Sequence, residues 1–124
     1  MAKKKSTIPD KFEQGFLETL DGRTGIAQAM RERYQAMTDD LGGAERLSYA
    51  QRSLVERALW LEYWCAHQER NLAAGKNEAF DVGKWTQAAN SLQGIYSKLG
   101  LQRVAKTAPG LGELIRRNAE GVPA

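Results

Sequence analysis

Between Pro9 and Pro109 the sequence contains no proline. Proline removes a backbone donor and clashes with the preceding turn, so an interval this long without one permits long, unbroken helices. A chain of 124 residues suits one domain with one core. Hydrophobic residues at 42% and charged residues at 27% describe a soluble folded chain rather than a disordered one. The single Cys excludes an intramolecular disulfide framework, and one Cys with one His argues against a zinc cluster. The longest apolar runs, 58–61 and 63–66, are broken by Glu62 and fall far short of the roughly 20 residues a bilayer requires. The start, Met-Ala-Lys-Lys-Lys-Ser-Thr-Ile-Pro, is charged with no apolar stretch after it, so no signal peptide is expected. The composition favours an all-α binding or assembly module, soluble and intracellular.

Periodicity and caps divide the chain into helices. Residues 8–20 can hold a short helix, with Pro9 early and Phe12, Phe16, Leu17 and Leu20 on one side. Asp21-Gly22 reads as a turn. A second helix begins at Thr24, with Ile26, Met30, Tyr34, Met37 and Leu41 on one stripe and Gly42-Gly43 as its stop. Ser48 and Gln51 match a capping box opening a helix to about Ala74, where Gly75 can end it. That helix would span about 40 Å. Asp81 is a good N-cap for a helix from Val82 to Leu99, with Gly100 closing it and Leu101 folding back. A last short helix is expected over 111–119, ending in Arg116-Arg117. An all-α chain of four or five helices is thus expected, organised around a long antiparallel hairpin of its two longest, 48–74 and 82–99.

The two long helices carry unusual surfaces. At 100° per residue, apolar or aromatic groups occupy most of the circumference of 48–74. Such a helix is normally buried on several sides, and one neighbour is expected from another copy of the chain. In 82–99, Val82, Trp85, Ala89, Leu92, Tyr96 and Leu99 form a heptad-like seam. The opposite side carries Gly83, Gln87, Asn90, Ser91, Gly94 and Ser97, and no charged residue lies between Lys84 and Lys98. At the chain's average, such a stretch would hold about three or four charges, so this helix is expected to be covered on both faces.

No constellation points to an enzyme. Cys65 and His67 lie about 200° apart on a helix and cannot share a metal; Cys65 reads as core and His67 as surface or interface. Gly75-Lys76-Asn77 lacks the upstream glycine and the Ser/Thr of a P-loop. Gly110-Leu111-Gly112 could offer backbone N–H groups to a phosphate, but a hinge after Pro109 explains it more simply. Asp39-Asp40 has no companion acid. No cofactor or metal is expected. Trp60 and Trp64, one turn apart, could stack bases, although only Arg57 and Arg70 supply interleaved charge; burial, within one copy or between copies, is the simpler reading.

Charge is concentrated at the ends. Lys3, Lys4 and Lys5 open the chain, while Lys98, Arg103, Lys106, Arg116 and Arg117 outnumber Glu113 and Glu120 near its close. Between them the chain is net acidic. Two basic ends can be arms that contact phosphates, or solvated tails that aid solubility.

The second half resembles a known family. The long helix opening Ser48-Tyr-Ala-Gln-Arg-Ser-Leu-Val-Glu-Arg-Ala, the loop Phe80-Asp81 leading to Trp85-Thr-Gln-Ala-Ala-Asn-Ser-Leu, and the segment Lys98-Leu-Gly-Leu-Gln-Arg103 resemble the small terminase subunits of tailed bacteriophages and prophages. The resemblance runs over about 23–117 and rests on helical patterns, not catalytic signatures. It implies a non-enzymatic DNA-packaging factor in the cytoplasm of a bacterial host, assembling as a ring, binding double-stranded DNA and recruiting the large terminase subunit. Many relatives carry an N-terminal helix-turn-helix; residues 8–41 here supply two helices and no third, which puts sequence-specific reading in doubt. The expected organisation is a basic arm at 1–22, a helical core at 23–100 and a basic segment at 101–124. Self-association is assigned to Trp60, Trp64, Trp85, Leu92 and Tyr96. DNA contact is assigned to Lys3, Lys4, Lys5, Arg103, Lys106, Arg116 and Arg117. The competing expectation is a small helical protein that regulates a host or phage protein without touching DNA.

Overall fold

The structure, a computed structural model, describes residues 4–100. Lys3, Arg103, Lys106, Arg116, Arg117, the Leu101 fold-back and the helix expected at 111–119 lie outside the described residues. The fold is all-α, with four α-helices among the described residues: α1 (Phe16–Thr19), α2 (Gly25–Asp40), α3 (Tyr49–Ala73) and α4 (Val82–Leu99). No helix among them is long and apolar enough to cross a membrane.

Each long helix starts where a side chain satisfies its free N–H groups. Thr24 Oγ1 accepts from the Ala27 N–H at 3.2 Å and donates to the Asp21 carbonyl at 2.7 Å. The turn before it is held by Asp21, whose carboxylate accepts from the Arg23 side chain and backbone; those bonds pull its pKa down to about 2. At α3, Ser48 Oγ accepts from the Gln51 N–H at 3.1 Å and Gln51 Oε1 accepts from the Ser48 N–H at 2.8 Å, a complete capping box. Replacing Ser48 with Ala is expected to lower the unfolding free energy by about 1 kcal/mol, read as a shifted urea midpoint with unchanged slope. At α4, Asp81 Oδ1 accepts from the Lys84 N–H at 3.0 Å. The stop after α2 is also chemical: Gly43 donates to the Thr38 carbonyl at 2.8 Å with φ at 106°, a region that strains any other L-residue.

The core lies on α3. Ile8, Phe16, Leu20, Ala27, Met30 and Leu59 form one buried cluster. Ala58, Leu61 and Ile95 form a second between α3 and α4. As α4 advances, its partners in α3 move back toward the α3 N-terminus: Trp85 bonds Glu69 and Tyr96 bonds Glu62.

The structure refines three expectations. The short helix expected within 8–20 is confined to Phe16–Thr19. Gly15, with φ at 85°, turns the chain immediately before α1. Within the segment expected as a basic arm, the described residues from Lys5 to Leu20 pack into the fold. Ile8, Phe16 and Leu20 are buried, and Lys5 is tied at both sides, its N–H to the Thr19 carbonyl at 2.9 Å and its carbonyl to the Asp21 N–H at 2.7 Å. This segment supplies the neighbour for α3 that the helical wheel assigned to another copy. Finally, within the single chain the described residues cover α4 on one face. Ile95, outside the expected seam, is its buried residue, while Gln87, Asn90, Ser91, Gly94 and Ser97 are exposed.

Candidate functional site

The three tryptophans converge. Trp60 and Trp64, one turn apart on α3, and Trp85, in the first turn of α4, line one groove of about 610 Å³ between the two helices. Lys84 and Asp10 stand on its wall, and Gln87 and Ser91 carry it onto the uncharged face of α4. The remaining members of the expected interface set lie elsewhere: Leu92 and Tyr96 pack against the Ala58–Leu61–Ile95 cluster.

Every indole N–H in the groove already has a partner. Trp60 Nε1 donates to the Pro9 carbonyl at 2.8 Å and Trp64 Nε1 to the same oxygen at 3.2 Å. Trp85 Nε1 donates to Glu69 Oε2 at 2.9 Å. The groove therefore offers ring surface, amide and hydroxyl groups and the charged side chains of Lys84 and Asp10 rather than free indole donors. Base stacking by Trp60 and Trp64 is further disfavoured by their company. Trp60 meets Phe12 edge-on at 6.1 Å, Trp64 meets Tyr63 edge-on at 5.2 Å, and Arg57 lies over the Phe12 ring at 4.2 Å. His67 stacks on Tyr63, and Cys65 is buried with its thiol pKa pushed up by burial, so its thiolate is disfavoured.

Two glutamates escaped the sequence reading. Glu56, buried on α3, reaches the start of α1, where its carboxylate accepts from the Leu17 N–H at 3.3 Å and from Gln14 Nε2 at 3.2 Å. Burial nevertheless raises its pKa, against the pull of those backbone N–H groups. Glu62, half-buried, accepts from the Tyr96 hydroxyl, and burial raises its pKa against the opposing charge of Arg33. A signal for Glu62 existed: it falls at about 80° on the wheel, between Ala58 at about 40° and Val55 at about 100°, inside the apolar sector.

Both carboxyls hold protons more tightly in the folded chain than in the unfolded one. Their contribution to stability is complete below the ordinary glutamate pKa of about 4.3 and is lost as pH rises through the raised values. The double change Glu56→Gln and Glu62→Gln is expected to flatten that part of the profile, measured by urea unfolding from acid to neutral pH. An identical slope in both proteins would exclude these groups.

Lys4 and Lys5 have internal engagements: Lys4 Nζ donates to the Glu18 carbonyl at 2.9 Å and Lys5 Nζ lies 3.9 Å from Glu13. Basic and acidic residues cancel over 4–100, so the net charge of +3 comes from Lys3 and the 101–124 segment. Compared with known proteins, the chain matches no family model, and no curated protein or solved structure is significantly similar to it.

Proposed function

We propose that this chain is a non-enzymatic DNA-packaging factor of the small-terminase kind, acting in the cytoplasm of a bacterial host. It self-assembles, binds double-stranded DNA through basic residues near its C-terminus and presents DNA to a large terminase subunit. The observation that carries the reading is the outer face of α4. It is solvent-exposed in the single chain, yet Trp85 to Ser97 contains no charged residue. Gly94 adds weight: a Cβ there would meet nothing within 4 Å, although glycine inside a helix costs about 1 kcal/mol relative to alanine. Nothing among the described residues requires a glycine at that position, whereas a close-packed neighbouring backbone would. The tryptophan groove adjoins this face through Gln87 and Ser91, and a ring forms where such a surface meets a different surface of the next copy and the rotation closes.

Mass measurement in solution tests the assembly: a large closed oligomer is expected, and a single chain at high concentration would refute it. For DNA, retention that weakens steeply with salt is expected. Replacing Arg116 and Arg117 with Ala should weaken duplex binding and lower the salt slope by about 2, at about 0.9 per lost phosphate contact, without changing the assembly. Unaltered retention would remove that site.

The charge balance over 4–100 favours one second reading, a helical protein that regulates a host or phage protein without DNA contact. It predicts a monomer or dimer, and no salt-dependent DNA retention.

A further inference from the structure

The tryptophan groove has two facing walls. Lys84, Gln87, Ala88 and Ser91 fall within about 100° of one another around α4 and form one wall, with Trp85 beside them. Trp60, Leu61, Trp64 and Gln68 on α3 form the other, and Asp10 joins it from the N-terminal segment. The hydrogen-bonding groups divide sharply. The three indole N–H donors are engaged by Pro9 and Glu69, which fixes the ring orientations before any ligand arrives. By contrast, the side chains of Asp10, Lys84, Gln87 and Ser91 make no hydrogen bond or ion pair among the described residues. Gln68 uses only its carbonyl, which accepts from the Asp81 N–H at 2.9 Å, so its amide donors remain open. Donors and acceptors together therefore border a ring-lined floor.

What these walls disfavour narrows the ligand. A phosphate would meet Asp10 and a quaternary ammonium would meet Lys84, whereas the two charges together favour a neutral molecule. A planar heterocycle stacks best between parallel faces. Trp60 and Trp64 instead meet at 67° with centroids 6.5 Å apart, and both already carry aromatic edges. Trp85, half-buried, has no ring contact among the described residues. A pyranose suits a single indole of this kind: its C–H face rests on the ring, and the hydroxyls at its edge both donate and accept. Asp10 accepts from such hydroxyls and Lys84 donates to them, each as a charge-assisted bond that needs no charge on the ligand. The groove, about 610 Å³, lies within the roughly 300–1,000 Å³ of sites that seat a compact ligand.

We propose that the groove between α3 and α4 binds a neutral saccharide, with Trp85 as its platform and Asp10, Gln68, Lys84, Gln87 and Ser91 as the rim that meets its hydroxyls. The site goes beyond the packaging reading and does not depend on it.

Titration of the full-length chain with cellobiose, maltose and N,N′-diacetylchitobiose, followed by saturation-transfer NMR and tryptophan emission, tests it. At least one disaccharide is expected to bind with a Kd on the order of 1 mM or tighter. Adenosine, tetramethylammonium and inorganic phosphate, the planar, cationic and anionic probes, should bind at least about tenfold more weakly. Trp85→Ala should weaken the disaccharide at least about tenfold, with Trp85→Phe recovering most of the loss. Gln87→Ala with Ser91→Ala, both exposed in the single chain, should weaken it about fivefold with an unchanged helical spectrum, which keeps the site testable if Trp85→Ala does not fold. No disaccharide binding up to about 20 mM would overturn the proposal. Tighter binding of adenosine, tetramethylammonium or phosphate would overturn it in favour of a base, cation or anion site. Binding that survives both Trp85→Ala and the paired change at Gln87 and Ser91 would overturn this groove as the site. The mass recorded in the same samples reads assembly separately, so a silent groove and a missing ring are different results.

Discussion

Replacing Phe16 with Ala is expected to lower the unfolding free energy by about 3–5 kcal/mol. The side chain has no solvent exposure and sits among Ile8, Leu20, Met30 and Leu59, with Phe12 edge-on at 6.1 Å. A domain of this size holds about 5–15 kcal/mol in total, so the loss takes a large share of it. The cost combines lost transfer energy with a cavity that α3 and α2 close only in part, since both are held by caps and by Leu59. Leu72, 49% exposed near the end of α3, is the control; Leu72→Ala should fall within about 0.5 kcal/mol of the parent. Urea unfolding of the three proteins decides the matter. A Phe16→Ala loss below about 1 kcal/mol would show that residues 8–20 do not belong to the core.

The second large effect concerns assembly. Placing Glu at Asn90 and at Gly94 sets two carboxylates one helical turn apart on the uncharged outer face of α4. In the single chain both positions are exposed, and Gly94→Glu improves helix propensity, so monomer stability should hold or rise. Across an interface, unpaired charges cost several kcal/mol, and about 4 kcal/mol weakens each contact about a thousandfold. The expected result is dispersal to single chains, seen by native mass spectrometry or sedimentation, with an unchanged helical spectrum. An assembly that keeps its mass removes this face of α4 from the interface.

The parts of the fold legible in the sequence are those governed by local chemistry. Thr24, Ser48 and Asp81 cap the three long helices as their side chains demand, and Gly42-Gly43, Gly75 and Gly100 follow their ends. Residues 8–20 were illegible for the opposite reason. Their apolar spacing suits a helix, but their conformation is set by distant groups, namely the indoles that hold the Pro9 carbonyl and the Glu56 carboxylate that holds the start of α1. No helical period encodes a bond to a residue some forty or fifty positions away. The same blindness distorted the reading of α3. Its aromatic circumference correctly implied several neighbours, yet the pattern cannot say whether a neighbour belongs to the same chain, and Phe12, Phe16 and Leu17 fill that place. Among the site residues, the three tryptophans assigned together do share a groove. Gln87 and Ser91 were legible only as part of the uncharged side of 82–99, since amide and hydroxyl side chains do not say what they line.

The carbonyl shared by two indoles has a consequence for synthesis. Pro9 is separated by 51 positions from Trp60 and by 55 from Trp64, so it leaves the ribosome long before either exists. Ile8, Phe12 and Phe16 must therefore wait in the nascent chain with no core to enter until α3 has been made, a delay of several seconds at bacterial elongation rates of about 5–20 residues per second. A segment translated well before α3 is thus obliged to be a late one to settle, and tryptophan emission becomes a natural clock for that final docking.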